Sequence, residues 1–224
     1  MDIVEALKKR KSIRGFKPDP VPREVLTEVL KIAGRAPSAV NSQPWEFFVL
    51  GGDVLEKVRH GNIDKVRSGA PPNPDHALMG WPRESVYRDR QVALAKQLFQ
   101  LMGIGKDDKE KMAQWLELGY RFFDAPAAII IVVDESIIER APLLDIGAVI
   151  QSICLAALHH GLGTCIEDQG AMYPDVLRRF AGIPESKKIM ISIAMGYPDW
   201  QFPANKVETA REPLDAITTW CGFT

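Results

Sequence analysis

Residues 143–160, LLDIGAVIQSICLAALHH, carry one charged side chain, Asp145, ahead of two terminal histidines. Their apolar groups fall on nearly every face of a helix. A helix of that kind has to be covered on all sides. Gly161 and Gly163 follow it and suit the left-handed backbone that ends helices. Small side chains at Gly147, Ala148, Ala156 and Ala157 permit close approach of another helix. The rest of the chain offers only about four strand-like segments, and a single sheet of that size leaves part of such a helix bare. The stretch therefore predicts a large homodimer interface. The other arrangement that buries it is a central helix enclosed within one monomer.

Working outward, 128–133 (AIIIVV) reads as a buried strand and 189–195 (IMISIAM) as the last one. Shorter strands are expected at 47–50 and 164–166. Asp2 with Glu5 makes a capping box that opens a first helix. Pro22 starts a second, with Val25, Leu26, Val29, Leu30 and Ala33 at helical spacing. Further helices are expected at 53–66, 84–102, 107–123 and 174–181. Residues 69–82 (GAPPNPDHALMGWP), with four prolines, read as a loop. The tail, 197–224, is rich in proline and turn residues, shows little core of its own, and is expected to wrap onto a partner subunit. The chain has no repeats and reads as one domain, 1–224.

The 224 residues are 46% hydrophobic and 25% charged, with a net charge of −1. That is a soluble globular composition without the basic bias of a nucleic-acid partner. The opening MDIVEALKKRKS lacks the apolar run of a secretory signal, and 127–133 is too short to span a bilayer. Three cysteines without a CxxC pair suit a reduced, cytoplasmic protein.

Most chemical motifs fail. Gly161-Leu162-Gly163 follows a helix and lacks the third glycine of a dinucleotide fingerprint. Gly105-Lys106 is followed by Asp107 rather than Ser or Thr, so it is no phosphate loop. His159 and His160 point about 100° apart on a helix and cannot share a metal. No G-x-S-x-G elbow or sequence-adjacent Cys–His pair supplies a nucleophile, so a bound cofactor is the expected source of any chemistry. Two stretches remain. In 8–14 (KKRKSIR), Arg10, Ser12 and Arg14 alternate where the chain should leave the helix. On extended backbone they point one way, and two guanidinium forks with a hydroxyl make a phosphate clamp. A solvated helix face accounts for the same charges. In 36–45 (APSAVNSQPW), two prolines bracket small and amide side chains. That loop suits a flat, polar-edged ligand, and an ordinary helix-to-strand connection explains it as well.

Together RKSIRGF, APSAVNSQPW, GLGTCIEDQG and TAREPLD, in this order and separation, resemble the FMN-dependent nitroreductase family. YRFFDAP at 120–126, GYPD at 196–199 and the ending TTWCGF are similar to its nitroaromatic-reductase branch. The resemblance implies an α+β fold with a mostly antiparallel central sheet flanked by helices, in an intertwined homodimer with FMN at the subunit interface. Residue by residue, Arg10, Ser12 and Arg14, with Lys11 alongside, match the N-terminal FMN motif, and Arg211 matches a late arginine at the phosphate. Pro37, Ser38 and Ala39 match the segment reaching the other subunit's flavin, and Asn41 a polar flavin contact. Ile166, Glu167, Asp168 and Gln169 match the loop whose backbone N–H faces flavin N5. Arg121 matches a cation near the N1–O2 edge.

The implied activity is hydride transfer from NADH or NADPH through flavin N5 to nitroaromatic, quinone or similar flat acceptors, by a ping-pong mechanism with no catalytic side chain. Alternatives are a flavin-binding sensor or storage protein, or a dehalogenase or flavin-fragmenting enzyme on the same scaffold. A lid is expected at about 60–105, with Trp81, Tyr87 and Phe99 facing substrate or packing the excursion to the body. Trp45 is expected in the core. The chain departs from the family pattern at Thr209, where several members carry a second cation that Lys206 is expected to replace. It departs again at Glu167 and Asp168, whose carboxylates would oppose an anionic reduced flavin. They are predicted to point away from it.

Overall fold

The computed structural model describes residues 2–76, 80–140 and 142–223. The stretch 77–79 of the expected 69–82 loop lies outside them. Four strands, β1 (Trp45–Gly51), β2 (Ala127–Asp134), β3 (Gly163–Glu167) and β4 (Lys187–Gly196), form one antiparallel sheet in the order β1-β2-β4-β3. β2 runs down its middle, and Ala127 to Val133 are all buried. An unbroken apolar run is the pattern of a strand covered on both faces. Ala128, Ile130 and Val132 turn to one side, and Ile129, Ile131 and Val133 to the other. The β2–β4 register shifts between Ile131 and Val132.

Among the described residues, eight α-helices surround the sheet: α1 (Ile3–Lys9), α2 (Arg23–Ala33), α3 (Gly52–Arg67), α4 (Val86–Leu101), α5 (Lys109–Tyr120), α6 (Leu143–His159), α7 (Pro174–Ala181) and α8 (Leu214–Ile217). The carboxylate of Asp2 accepts from the Glu5 N–H at 2.8 Å, as the capping pattern predicts. Leu55 and Val58 of α3 and Leu177 of α7 cover one face of the sheet. Val29 and Ala33 of α2 and Ile146, Val149 and Ile153 of α6 cover the other, with Trp45 among them. Each fully buried aliphatic side chain contributes about 1.5–3 kcal/mol over an exposed one.

The sheet covers only one side of α6. Leu143 and Leu144 remain exposed, Leu144 at 89%. Ile3, Val4 and Leu7 of α1 and Ile32 of α2 are exposed too, and a groove of about 500 Å³ runs between α1, α2 and α6.

Two expectations are corrected. The helix expected to reach 123 ends at Tyr120, because Phe122, Phe123 and Asp124 take left-handed backbone with φ of 58°, 52° and 52°. The tail does have core at its start. Phe202, Ala204 and Val207 pack with Leu94, Leu98 and Leu101 of α4 and Trp115 of α5. Beyond them Leu214, Ile217, Trp220 and Phe223 are exposed. No helix among the described residues is long and apolar enough to cross a membrane.

Candidate functional site

The basic segment leaves α1 as extended chain beside β3. The Ile13 N–H donates to the Thr164 carbonyl at 2.9 Å, and Ser12 forms a parallel bridge with Thr164. Ile13 and Gly15 turn inward, while Arg10, Ser12 and Arg14 turn outward and stay half-buried. Lys11, between Arg10 and Ser12, is half-buried as well, so the burial alternates only from Ser12 to Gly15. Gly163 makes room for Ile13, since a Cβ there would lie 2.5 Å from Ile13 Cγ1. A fully buried amide, Asn205, latches the segment to the tail. Its Oδ1 accepts from the Arg14 N–H at 2.7 Å, and its Nδ2 donates to the carbonyls of Gly15 and Asp199 at 2.7 and 2.8 Å. Sequence reasoning missed Asn205, because no local pattern links it to a residue 191 positions away.

Lys8, Lys9, Arg10 and Lys11 line an open depression of about 740 Å³ together with Glu208, Thr209 and Arg211. The two ends of the chain thus meet at one cationic surface. Arg211 is curled on its own segment, donating from Nη1 to Thr209 Oγ1 at 2.9 Å and to the Ala210 carbonyl at 3.0 Å. Lys206 is exposed and does not belong to the depression's wall. Arg14 is not part of that wall either; its charge acts on the Cys165 thiol, which burial pushes up to about 12.

The loop at 36–45 lies on a different face. Pro37 lines the groove between α1, α2 and α6. Ser38 Oγ accepts from the Gln43 N–H at 2.9 Å, and the Ala39 N–H donates to Asp145 of α6 at 3.1 Å. Val40, Asn41 and Gln43 hold φ of 46°, 60° and 46°. Left-handed backbone in such residues costs about 1–3 kcal/mol each and persists only where surroundings enforce it. Val40 is fully exposed at the tip.

At the end of β3, Ile166 and Asp168 face outward, and Glu167 is buried beneath them. The Glu167 carboxyl turns to Ser192 on β4, 3.2 Å from Oγ, and burial raises it well above the usual carboxylate range. Gln169 has a packing role: its amide donates to the Leu116 carbonyl at 3.2 Å and lies over Gly119, where a Cβ would fall 2.0 Å from its oxygen. Gly170 is pressed against the ring of Phe122. Arg121 holds Asp124 in two parallel bonds, Nε–Oδ1 at 2.8 Å and Nη2–Oδ2 at 2.9 Å. That pairing raises the guanidinium's affinity for its proton. Arg59 and Asn62 of α3 secure the turn from below. Arg59 donates to the carbonyls of Arg121, at 3.0 Å, and Ala125, and Asn62 donates to that of Tyr120 at 3.0 Å. Neither residue carries a sequence signal that separates it from a solvated helix position. In the expected lid region, Trp81 and Tyr87 stack with ring centroids 5.0 Å apart, while Asn62 and Ile63 of α3 are packed into the body. Among the described residues no group of three or more His, Cys, Asp or Glu side chains is placed to hold a metal ion.

Both the sequence and the fold match proteins of known kind. Residues 7–197 match the model of the Nitroreductase family. The chain belongs to that family. It is 30% identical to the chloronitrobenzene nitroreductase of Comamonas testosteroni, over 97% of this chain and 96% of that protein. The crystal structure of the FMN and NADPH-dependent nitroreductase NfnB from Sphigopyxis sp. strain HMH matches with a TM-score of 0.94 and 28% identity, covering 100% of both chains. The FMN-dependent nitroreductase NfnB from Mycobacterium smegmatis, solved in complex with NADPH, matches with a TM-score of 0.90 and 25% identity, covering 98% of this chain and 100% of that one.

Proposed function

We propose that this chain is an FMN-dependent oxidoreductase that passes electrons from NADPH or NADH to nitroaromatic, quinone or similar flat acceptors, in a ping-pong cycle. The observation that carries the reading is the depression where Arg10 and Lys11 meet Arg211. Five cations and one carboxylate line it, which fits a phosphate monoester. When bound there, FMN supplies the hydride-accepting and hydride-donating centre. The protein's part is to bind, orient and polarise. Arg10, Lys11 and Arg211 hold the phosphate, with Ser12 and Arg14 along the flavin. Backbone N–H groups of residues 166–169 orient N5, while the buried Glu167 carboxyl keeps its charge away from the ring. Arg121 favours negative charge at the N1–O2 edge. No side-chain acid or base is required.

The working unit in this reading is a homodimer, in which Pro37, Ser38, Ala39 and Asn41 serve the flavin held largely by the other subunit. The exposed apolar stripe of α6 with α1 and α2 supports it, as does the exposed tail after Val207. The substrate-facing lid is carried by the irregular segment after α3 and by α4. Three free cysteines support a reducing compartment, the cytoplasm. The test is anaerobic mixing of the purified yellow protein with NADPH or NADH. Bleaching of the flavin, followed by reoxidation with a nitroarene, is expected. A protein that neither carries nor accepts FMN, or whose flavin nicotinamide cannot reduce, refutes the proposal.

A further inference from the structure

We propose that Asp124 tempers the Arg121 cation and so sets the reduction potential of the flavin held against it; this rests on the reading of Arg121 as the cation at the N1–O2 edge. The two side chains form a bidentate pair at 2.8 and 2.9 Å. The other carboxylate near Arg121, Glu117, lies 4.0 Å from Nη1 and is itself held by Arg67 in two bonds of 2.9 and 2.8 Å. Asp124 is therefore the counter-charge that Arg121 does not share. The pair is one-third to one-half exposed, where ion pairs do little for stability. Yet the fold reaches this geometry through three consecutive left-handed residues, Phe122, Phe123 and Asp124. The buried Arg59 and Asn62 hold that turn by its carbonyls.

A bare guanidinium would stabilise the negative charge that reduction brings to the flavin's pyrimidine edge. A carboxylate bonded to it cancels much of that field. Asp124 does not touch the flavin on this reading but subtracts from the field of Arg121, so it is a tuning residue rather than a catalytic one.

Asp124→Asn keeps the side chain's shape and its tolerance of left-handed backbone while removing the charge. The expected result is a reduction equilibrium of bound FMN shifted about tenfold toward the reduced form, a rise of about 30 mV for a two-electron couple. Asp124→Gly also relieves the backbone, and must move the potential the same way if charge rather than strain is responsible. Arg121→Gln should lower the potential, and adding Asp124→Asn to it should raise it again, because the carboxylate's field reaches the flavin whether or not the guanidinium is there. The readout is an anaerobic potentiometric titration followed by flavin absorbance, with melting temperature as a check on folding. An unchanged or lowered potential in Asp124→Asn, with Arg121→Gln lowered as expected, overturns the inference alone. An unchanged potential in Arg121→Gln overturns the placement of Arg121, and the inference with it.

Discussion

Glu167 is held where the fold must resist its ionisation. The residue is 7% exposed, and its Oε2 is buried without a hydrogen-bond partner. Ser192 has one hydroxyl proton and donates it to the Glu167 carbonyl at 2.7 Å. The contact of Ser192 Oγ with Oε1 is longer, at 3.2 Å, so the single hydroxyl proton, shared with the carbonyl, gives the carboxylate little support. Burial is the main cause of the raised pKa, and the Asp168 charge adds to it, against smaller opposing effects of Ser192 and the Gly170 N–H. In the unfolded chain Glu167 ionises near the ordinary glutamate value of about 4.3. From that pH up to the folded-state value, the unfolded state binds fewer protons, so stability falls as pH rises. The slope from this one group approaches about 1.4 kcal/mol per pH unit. For a chain of this size that is roughly 3–5 °C in Tm per unit. Glu167→Gln keeps the shape and removes the titration. Its melting temperature relative to the parent should therefore climb by that amount per unit above pH 5.5. Differential scanning of the FMN-loaded proteins between pH 5 and 8 at fixed ionic strength reads it directly. A Tm difference that stays constant across the range would refute a buried, proton-bearing Glu167.

The remaining tests address the depression, the base of the lid and the tail. Arg10→Ala removes one charge-assisted bond of about 1.5–3 kcal/mol, so the Kd for FMN, measured by fluorescence quenching, should rise roughly 10- to 150-fold. An unaltered Kd would remove Arg10 from the phosphate site. Asp75→Asn breaks a nearly buried pair in which Oδ2 lies 2.8 Å from Arg178 Nη2 and accepts from the Ile189 N–H at 2.9 Å. It should cost about 1–3 kcal/mol in a urea titration, because Arg178 and the Ile189 N–H lose a shared carboxylate, while Glu185 still pairs with Arg178 Nε at 2.9 Å. Loss of less than about 1 kcal/mol would mean the pair does not anchor this loop. Removing residues 213–224 should shift the protein toward monomer in analytical ultracentrifugation at micromolar concentration, and an unshifted dimer would count against a partner-wrapping tail.

Much of this architecture is legible in the sequence because it is periodic. The run 128–133 has no polar break and becomes a strand buried on both faces. The all-round apolar pattern at 143–160 becomes a helix that the sheet covers on one side, with Leu143 and Leu144 left exposed. Of the three residues at a spacing of two, Arg10 reaches the cationic depression, whereas Ser12 and Arg14 do not line it. What escapes the sequence depends on partners far along the chain. Asn205 looks like any tail residue until it bonds Arg14 and Gly15. Arg59 looks like a solvated position on α3 until it meets the carbonyls of a turn 62 residues later. The turn itself is hidden, because Phe122, Phe123 and Asp124 are ordinary residues in a backbone region they seldom occupy. Phe202, Ala204 and Val207 look like coreless tail in the sequence because their partners lie on α4 and α5, about a hundred residues earlier.

The exposed apolar surface bears on how the proposed site is completed. Six apolar side chains of α1, α2 and α6 are about half to almost fully exposed: Ile3 and Ile32 at the groove between these helices, Val4 and Leu7 at the cationic depression, and Leu143 and Leu144 at the start of α6. Burying what remains of them is worth roughly 5–10 kcal/mol in all. Bringing two chains together costs an estimated 4–15 kcal/mol. The stripe on its own therefore comes close to breaking even. The tail adds four more apolar side chains, Leu214, Ile217, Trp220 and Phe223, each more than half exposed. Their burial is large enough to decide the balance. The tail begins at Arg211, on the wall of the cationic depression, and the stripe adjoins Pro37 to Asn41. The same two surfaces that would hold a second copy thus carry the residues proposed to reach FMN from either side. Dimer formation and completion of the flavin site are, on this reading, one event.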